Sequence, residues 1–266
     1  MQSPLSNPGQ PAQRKGVTWP RLLISAALLT ACNQAVAGQL LAAVAANFTG
    51  ASRAIVQRFE ASTGHRVKVS YGSSGKLFAQ IEHGAPFEVY LAADRLLPQK
   101  AIAEGLAVVG SRFSYAQGKL VLWSSHSQLF SNAENYLRSG AFKRLAIANP
   151  KTAPYGLAAQ QVLQHLQLWD GLKSHRVIGD SIAQAFQFTA TGNARIGFVA
   201  QSQINAWEGP PGSLWIIPEA YYQPIDQHAV LLNRGLRNPV AQQFLEFLKG
   251  PQARRIISDY GYNLPI

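Results

Sequence analysis

The chain is nearly without sulfur, with one cysteine, Cys32, and one methionine among 266 residues. Charge is scarce as well: Asp, Glu, Lys and Arg make up 14% of the chain, against 47% apolar residues. That balance excludes disorder for the bulk of the sequence, and the length suffices for two lobes with a sizeable core. Long apolar runs are also missing. The run Leu22–Leu29 falls short of the ~20 residues needed to span a bilayer, and no other segment reaches that length. Acids are the rarer charge, 13 against 24 basic residues, for a net charge of +11.

The first 37 residues hold no acid at all. Arg14, Lys15 and Arg21 precede the apolar run and small residues follow it, the order of a secretory signal peptide over 1–37. Two processing sites compete. Ala35-Val36-Ala37 before Gly38 suits ordinary signal peptidase and is the favoured reading. Leu29-Thr30-Ala31-Cys32 resembles a lipobox that would leave a lipid on Cys32. Cleavage after Ala37 leaves a chain with no cysteine, which excludes disulfides and thiol chemistry. It also leaves 21 basic residues against 13 acids, a net charge of +8. Such a surface steers anions; nucleic acid is not expected as a partner of a secreted chain whose basic residues are scattered without a block.

Beyond residue 38 short apolar runs alternate with amphipathic stretches. Strands are expected at Leu40–Ala46, Val67–Tyr71 and Val89–Ala92, with helices at Ala51–Ser62, Lys76–His83 and Pro98–Glu104 between and after them. Lys119–Trp123 reads as a strand. The alternation then restarts with strands Leu145–Ala148, Arg176–Ile178 and Ile196–Val199 and helices Gly156–Gln167 and Ile182–Thr189. Strand Ala229–Leu232 and helices Val240–Leu248 and Gln252–Tyr260 close the chain. Strand alternating with helix implies an α/β fold with mainly parallel sheets flanked by helices, and the restart implies two lobes. Crossings near Tyr115–Lys119 and Pro224–His228 divide the chain into a first lobe beginning at 38–118, a second lobe at 119–225, and a return strand with closing helices at 226–266, mainly in the first lobe.

Four strand-to-helix junctions share one character: Ala46-Asn47-Phe48-Thr49-Gly50, Gly72-Ser73-Ser74-Gly75, Asn149-Pro150 through Tyr155-Gly156, and Gly179-Asp180-Ser181-Ile182. Each sets small, polar or Pro/Gly residues before a helix. A helix start exposes unpaired N–H groups and a partial positive charge, so each junction is a candidate anion site. In an open α/β sheet ligands gather at this end of the strands, and two junctions come from each lobe. The plainer reading of any one junction is an ordinary N-cap; the set of four favours a cleft for a small anion.

The residues resemble a known family, the periplasmic molybdate-binding proteins (ModA) of ABC importers. The resemblance covers essentially all of 39–266. It rests on Ala45-Ala46-Asn47-Phe48, Tyr71-Gly72-Ser73-Ser74-Gly75, Gln80-Ile81-Glu82-His83-Gly84-Ala85-Pro86, Ala92-Ala93-Asp94, Ala153-Pro154-Tyr155-Gly156, Ile196-Gly197-Phe198-Val199-Ala200 and Leu248-Lys249-Gly250-Pro251-Gln252-Ala253, among others. It implies a two-lobed type II periplasmic-binding-protein fold, no catalysis and no cofactor. The implied ligand is molybdate or tungstate, held without charged side chains, and the implied partners are an ABC permease and its ATPase, with the binding protein a monomer in the periplasm. Carried over by motif, the oxyanion donors are Asn47, Ser74, and the backbone N–H groups of Tyr155 and Ile182. Ala46 stands where some members carry a Thr ligand, and Ala200 where many carry a ligand Tyr; Tyr155 is the residue that could compensate.

Other signals are weaker. Gly72–Lys76 lacks phosphate-loop spacing, with Leu77 where Ser or Thr is required. Gly179-Asp180-Ser181-Ile182 resembles an esterase nucleophile block, but Asp226 and His228 have the wrong spacing for its partners. Asp180 reads as a helix cap. The six histidines show no metal-site spacing, and Trp169, Trp207 and Trp215 read as packing. Lys76 and Arg53 read as solvated helix positions. Sulfate, phosphate or an organic anion remain alternative ligands.

Overall fold

The computed structural model describes residues 37–265 and the isolated Gly9. The basic and apolar leader segment up to Val36, with Cys32, lies outside the described residues. From residue 37 on, the chain belongs to one compact unit, and among the described residues no helix is long and apolar enough to cross a membrane.

Strand β1 (Gln39–Ala45) runs through a short 3-10 turn, Ala46–Phe48, into helix α1 (Thr49–Thr63). There follow β2 (Arg66–Gly72), α2 (Ser74–Glu82), β3 (Val89–Ala92), α3 (Leu96–Ala103) and β4 (Phe113–Gly118). Next come β5 (Leu120–Ser124), α4 (Ala133–Ser139), β6 (Leu145–Ala148), α5 (Pro154–His165), β7 (Arg176–Gly179), α6 (Ile182–Ala190), β8 (Ile196–Ala200), α7 (Gln201–Asn205) and β9 (Ser213–Ile216). Strand β10 (Ile225–Leu231) and helices α8 (Pro239–Lys249) and α9 (Pro251–Asp259) complete the chain.

The strands form two five-stranded sheets, in the orders β2-β1-β3-β10-β4 and β7-β6-β8-β5-β9. In the first, β1 is parallel to β2 and β3, while β10 runs antiparallel to both β3 and β4. The second repeats the pattern, with β6 parallel to β7 and β8 and β5 antiparallel to β8 and β9. Each lobe is thus a mixed sheet, with two parallel and two antiparallel pairings, flanked by helices, and the fold is two-lobed α/β. The chain passes from the first sheet to the second through Lys119 alone, and returns between Ile216 and Ile225.

Both faces of the central parallel strands β1, β3, β6 and β8 are buried, which is why they read as continuous apolar runs. On β1, Leu40, Ala42 and Val44 face Ile55, Phe59 and Phe244, while Ala43 faces Leu77, Ile81 and Tyr90. In the second lobe Leu145 and Ile147 pack against Val162, Leu163 and Phe198. Helix starts are written locally: Asn132 caps α4 by accepting from Asn135 N–H at 2.9 Å, and Asn238 caps α8 ahead of Pro239, accepting from Val240 N–H at 3.0 Å.

Five elements differ from the sequence expectation. Strands β4 and β9 and helices α4 and α7 were not expected, and β10 begins four residues before Ala229. β9 is a four-residue edge strand after the Pro/Gly run 209–212, too short for its alternation to stand out. The start of β10 alternates Ile225, Gln227, Ala229 with Asp226 and His228, and the inward residue is a polar glutamine, so the pattern reads as loop.

Gly118, the last residue of β4, has a structural reason to be glycine. A Cβ there would overlap the Tyr155 hydroxyl and meet Gln227 Nε2 at 2.7 Å. Both neighbours are buried, so Gly118→Ala is expected to cost about 1–3 kcal/mol of stability by overpacking. Denaturant unfolding measures this, and a loss below about 0.5 kcal/mol would mean the crossing is looser than described.

Candidate functional site

All four junctions converge on one hollow between the lobes. From the first lobe it is lined by Ala45, Ala46 and Asn47, by Gly72, Ser73 and Ser74, and by Ala93. From the second it is lined by Ala153, Pro154 and Tyr155 at the start of α5 and by Ile182 at the start of α6. The hollow is small, about 10 Å³ for the centre of a water-sized sphere. A wider cleft of about 380 Å³ shares Ala93 and Pro154 with it and is lined further by Asp94, Leu157 and Asp226. Another open cleft, of about 720 Å³, lies elsewhere on the second lobe, around Tyr136, Lys143 and Arg195, and receives none of the four junctions.

No carboxylate, ammonium, guanidinium or imidazole is among the residues lining the hollow. What it presents is backbone N–H and hydroxyl hydrogen. In α2, Ser73 holds the N-cap position without using its side chain, Ser74 is the first helical residue, and Gly75 N–H is taken by Thr152 C=O at 2.9 Å. Ser74 Oγ accepts from Ala93 N–H at 2.9 Å, so its own O–H hydrogen remains free to donate. Ser73 Oγ is buried and has no hydrogen-bond partner. Because Ala45 pairs with Gly72, Ser73 follows beside Ala46 at the ends of β1 and β2.

In α5, Pro154 has no N–H and Gly156 N–H bonds Ala153 C=O at 2.8 Å, which leaves Tyr155 N–H as a first-turn donor. In α6, Ser181 Oγ accepts from Gln184 N–H at 3.4 Å, which leaves Ile182 N–H. Gln203 fastens this turn to the end of β8: its Oε1 accepts from Ala200 N–H at 3.0 Å and its Nε2 donates to Ile182 C=O at 3.2 Å. Asn47 turns both side-chain hydrogens inward, to Gln227 Oε1 at 2.8 Å and Tyr262 hydroxyl at 3.1 Å. Its backbone N–H, at the start of the 3-10 turn, is the group left for the hollow.

The structure brings Ala46, Asn47, Ser74, Tyr155 and Ile182 together at this one place. Ala200 is fully buried and is not among the lining residues, and the Tyr155 hydroxyl reaches Gln227 Nε2 at 3.4 Å, beside Gly118, instead of standing in for a donor at Ala200. Burial raises the pKa of Tyr155, Tyr115 and Tyr262, so all three phenols stay protonated. Asp180 is a correction: it does not cap α6, because Ser181 does. Its Oδ2 pairs with Lys76 Nζ across the lobes at 2.8 Å, and Lys76 keeps the exposed helix position expected of it. The pair is largely exposed and contributes at most about 1 kcal/mol. Asp94, which follows the lining residue Ala93, accepts from Leu97 N–H at 2.7 Å, and burial raises its pKa.

Sequence reasoning placed Ser73 and Gly75 in the second junction without giving either a role, and it missed Gln203, Gln227 and Tyr262 altogether. Ser73 carries a signal that could have found it, two adjacent serines at a helix start of which only one can be the cap. The others are identified only by contacts distant in sequence.

Known proteins share this organisation. A family model described as bacterial extracellular solute-binding protein matches residues 40–263. The molybdate-binding protein ModA of Azotobacter vinelandii is 52% identical over 237 residues, covering 89% of this chain and 94% of that protein. ModA of Rhodobacter capsulatus is 47% identical over 249 residues, covering 94% and 96%. The solved structure of the Azotobacter vinelandii periplasmic molybdate-binding protein matches with a TM-score of 0.82 at 44% identity, over 85% of this chain and 100% of that one. Family model, relatives and fold agree on solute binding without catalysis. The chain belongs to the bacterial extracellular solute-binding proteins, within the ModA family of molybdate-binding proteins.

Proposed function

We propose that this chain captures molybdate or tungstate in the hollow between its lobes and delivers it to the permease and ATPase of an ABC importer. In this reading it acts as a monomer in the periplasm after loss of residues 1–37, with a lipid on Cys32 as the alternative processing outcome. The first lobe comprises 38–118 and, mainly, 226–266, the second 119–225. One observation carries the reading: helix starts from both lobes meet at a hollow that offers only neutral donors.

A dianion taken out of water must have its oxygens satisfied, because an unpaired buried charge costs several kcal/mol. Asn47, Ser74, Tyr155 and Ile182 supply backbone N–H groups, and Ser74 and Ser73 supply hydroxyls. Ser73 takes over the hydroxyl that Ala46 lacks. Hydrogen bonds to charged oxygen contribute about 1.5–3 kcal/mol each. Six of them outweigh an association cost that begins near 4 kcal/mol, and a tight site results. Phosphate near neutral pH carries a proton, and the hollow has no carboxylate to accept it. Sulfate is discriminated by size. The lobes already touch through Gly75 and Thr152 and through Lys76 and Asp180. Admitting a tetrahedral dianion takes a small opening, and ligand contacts to both lobes then favour the closed state.

An esterase reading has no support here. Ser181 is engaged as a helix cap and no histidine lines the hollow. A thermal-shift panel of molybdate, tungstate, sulfate and phosphate, with an ester-hydrolysis assay beside it, tests the assignment. Molybdate or tungstate at a thousandfold excess over Kd adds about 4 kcal/mol, a rise of roughly 8–16 °C in Tm. Equal or larger shifts with sulfate or phosphate would overturn the ligand assignment. Ser74→Ala is expected to weaken oxyanion affinity by about 1–3 kcal/mol, roughly five- to 150-fold, and to lower the ligand-free Tm as well, because the Ala93 N–H loses its acceptor. Unchanged affinity in titration calorimetry would remove Ser74 from the site.

A further inference from the structure

Behind the hollow, on the side where the chain crosses between lobes, lies a buried polar network whose centre is Gln227. The residue is fully buried on β10. The ladder between β10 and β4 shifts register there, pairing Gln227 with Ala116 and His228 with Ser114 and leaving Tyr115 as the extra residue. A bulge of this kind re-aims side chains, and here two of them meet. Gln227 Oε1 accepts from Tyr115 hydroxyl at 3.0 Å and from Asn47 Nδ2 at 2.8 Å, while Gln227 Nε2 donates to Tyr155 hydroxyl at 3.4 Å. One amide therefore holds a first-lobe residue of the hollow by one end and a second-lobe residue by the other.

We infer that Gln227 is a positioning residue for oxyanion retention: it fixes the backbone donors of Asn47 and Tyr155 in the closed arrangement and ties the lobes together behind the ligand. The inference rests on the oxyanion reading of the hollow. A glutamine buried this completely is costly unless both ends of its amide are bonded, and both are. Its bonds run to residues on two different lobes, and opening the cleft stretches the one to Tyr155. The network thus favours closure without touching the ligand. Its loss acts on escape, because the contact to Tyr155 is not made in the open cleft that the ligand first meets.

The test measures molybdate association and dissociation by stopped flow in wild type, Gln227→Met, Tyr155→Phe and the double variant. Met keeps the length of Gln227 without its hydrogen bonds. Phe removes only the Tyr155 hydroxyl and leaves the backbone N–H at the site. Both single variants are expected to raise the dissociation rate by about tenfold while association changes by less than about threefold. The double variant is expected to release ligand no faster than Gln227→Met, since both remove one shared contact. Dissociation raised by less than about threefold with a lowered ligand-free Tm would overturn the inference, because that is the signature of a core residue alone. Fully additive effects in the double variant would overturn it as well. Should Gln227→Met fail to fold, Tyr155→Phe decides by the same thresholds. Wild type that binds no oxyanion would instead defeat the reading of the site, and that result appears before either variant is compared.

Discussion

Ser73→Asp is expected to abolish oxyanion binding while leaving the protein folded. Ser73 sits at the N-cap of α2 with φ −67° and ψ 148°, and its side chain makes no capping bond. Aspartate is among the favoured N-cap residues and suits the positive end of the helix, which offsets part of the cost of burying its carboxylate where Ser73 Oγ is buried. The same side chain lines the hollow, where a carboxylate would face the bound dianion. At an effective dielectric near 20, two unit charges about 4 Å apart repel by about 4 kcal/mol, and a dianion roughly doubles that. Affinity should therefore fall by at least about three orders of magnitude. Ser73→Asn separates charge from bulk, since it has nearly the same shape, also caps, and still offers N–H hydrogens. Titration calorimetry and thermal denaturation of both variants give the two numbers. Binding within about tenfold of wild type in Ser73→Asp would show that the anion sits elsewhere.

A second large effect is expected from Ile182→Pro, which deletes one backbone donor while keeping the helix start. Ile182 is the first residue of α6, and proline is well tolerated at that position because its missing N–H is unpaired within the helix in any case. The preceding Ser181 is extended, with φ −148° and ψ 170°, the conformation that a following proline favours. If Ile182 N–H holds an oxyanion oxygen, its loss costs about 1.5–3 kcal/mol, a tenfold to 150-fold weakening. Ile182 is buried, so proline also loses packing and some Tm. Ile182→Val loses part of the same packing but keeps the N–H, and is expected to bind within about threefold of wild type. Equal affinities in the two variants would remove the Ile182 amide from the site.

The parts legible in the sequence were those written locally. Apolar runs of four to seven residues alternating with amphipathic stretches marked most of the strands and helices, because strands buried on both faces must be apolar throughout. The junction residues Ala46, Asn47, Ser74, Tyr155 and Ile182 were legible because a helix start has its own chemistry of small residues, caps and proline. What the sequence withheld depends on distance along the chain. Asn47 meets Gln227 across 180 positions and Tyr262 across 215, and no local pattern announces such contacts. Gln227 is a polar residue on the inward face of β10, so it broke the alternation that would have marked the strand. Asp180 looked like a cap because it stands beside one. Its true partner, Lys76, comes from the other lobe.

The most direct test of the central claim is a crystal structure of the protein with bound molybdate. The account requires the four oxygens to lie between the lobes, about 2.7–3.1 Å from the N–H groups of Asn47, Ser74, Tyr155 and Ile182 and the hydroxyls of Ser73 and Ser74, with no charged side chain on the anion. An anion bound to lysine or arginine in one of the open clefts, or held in the hollow against a carboxylate, would contradict it.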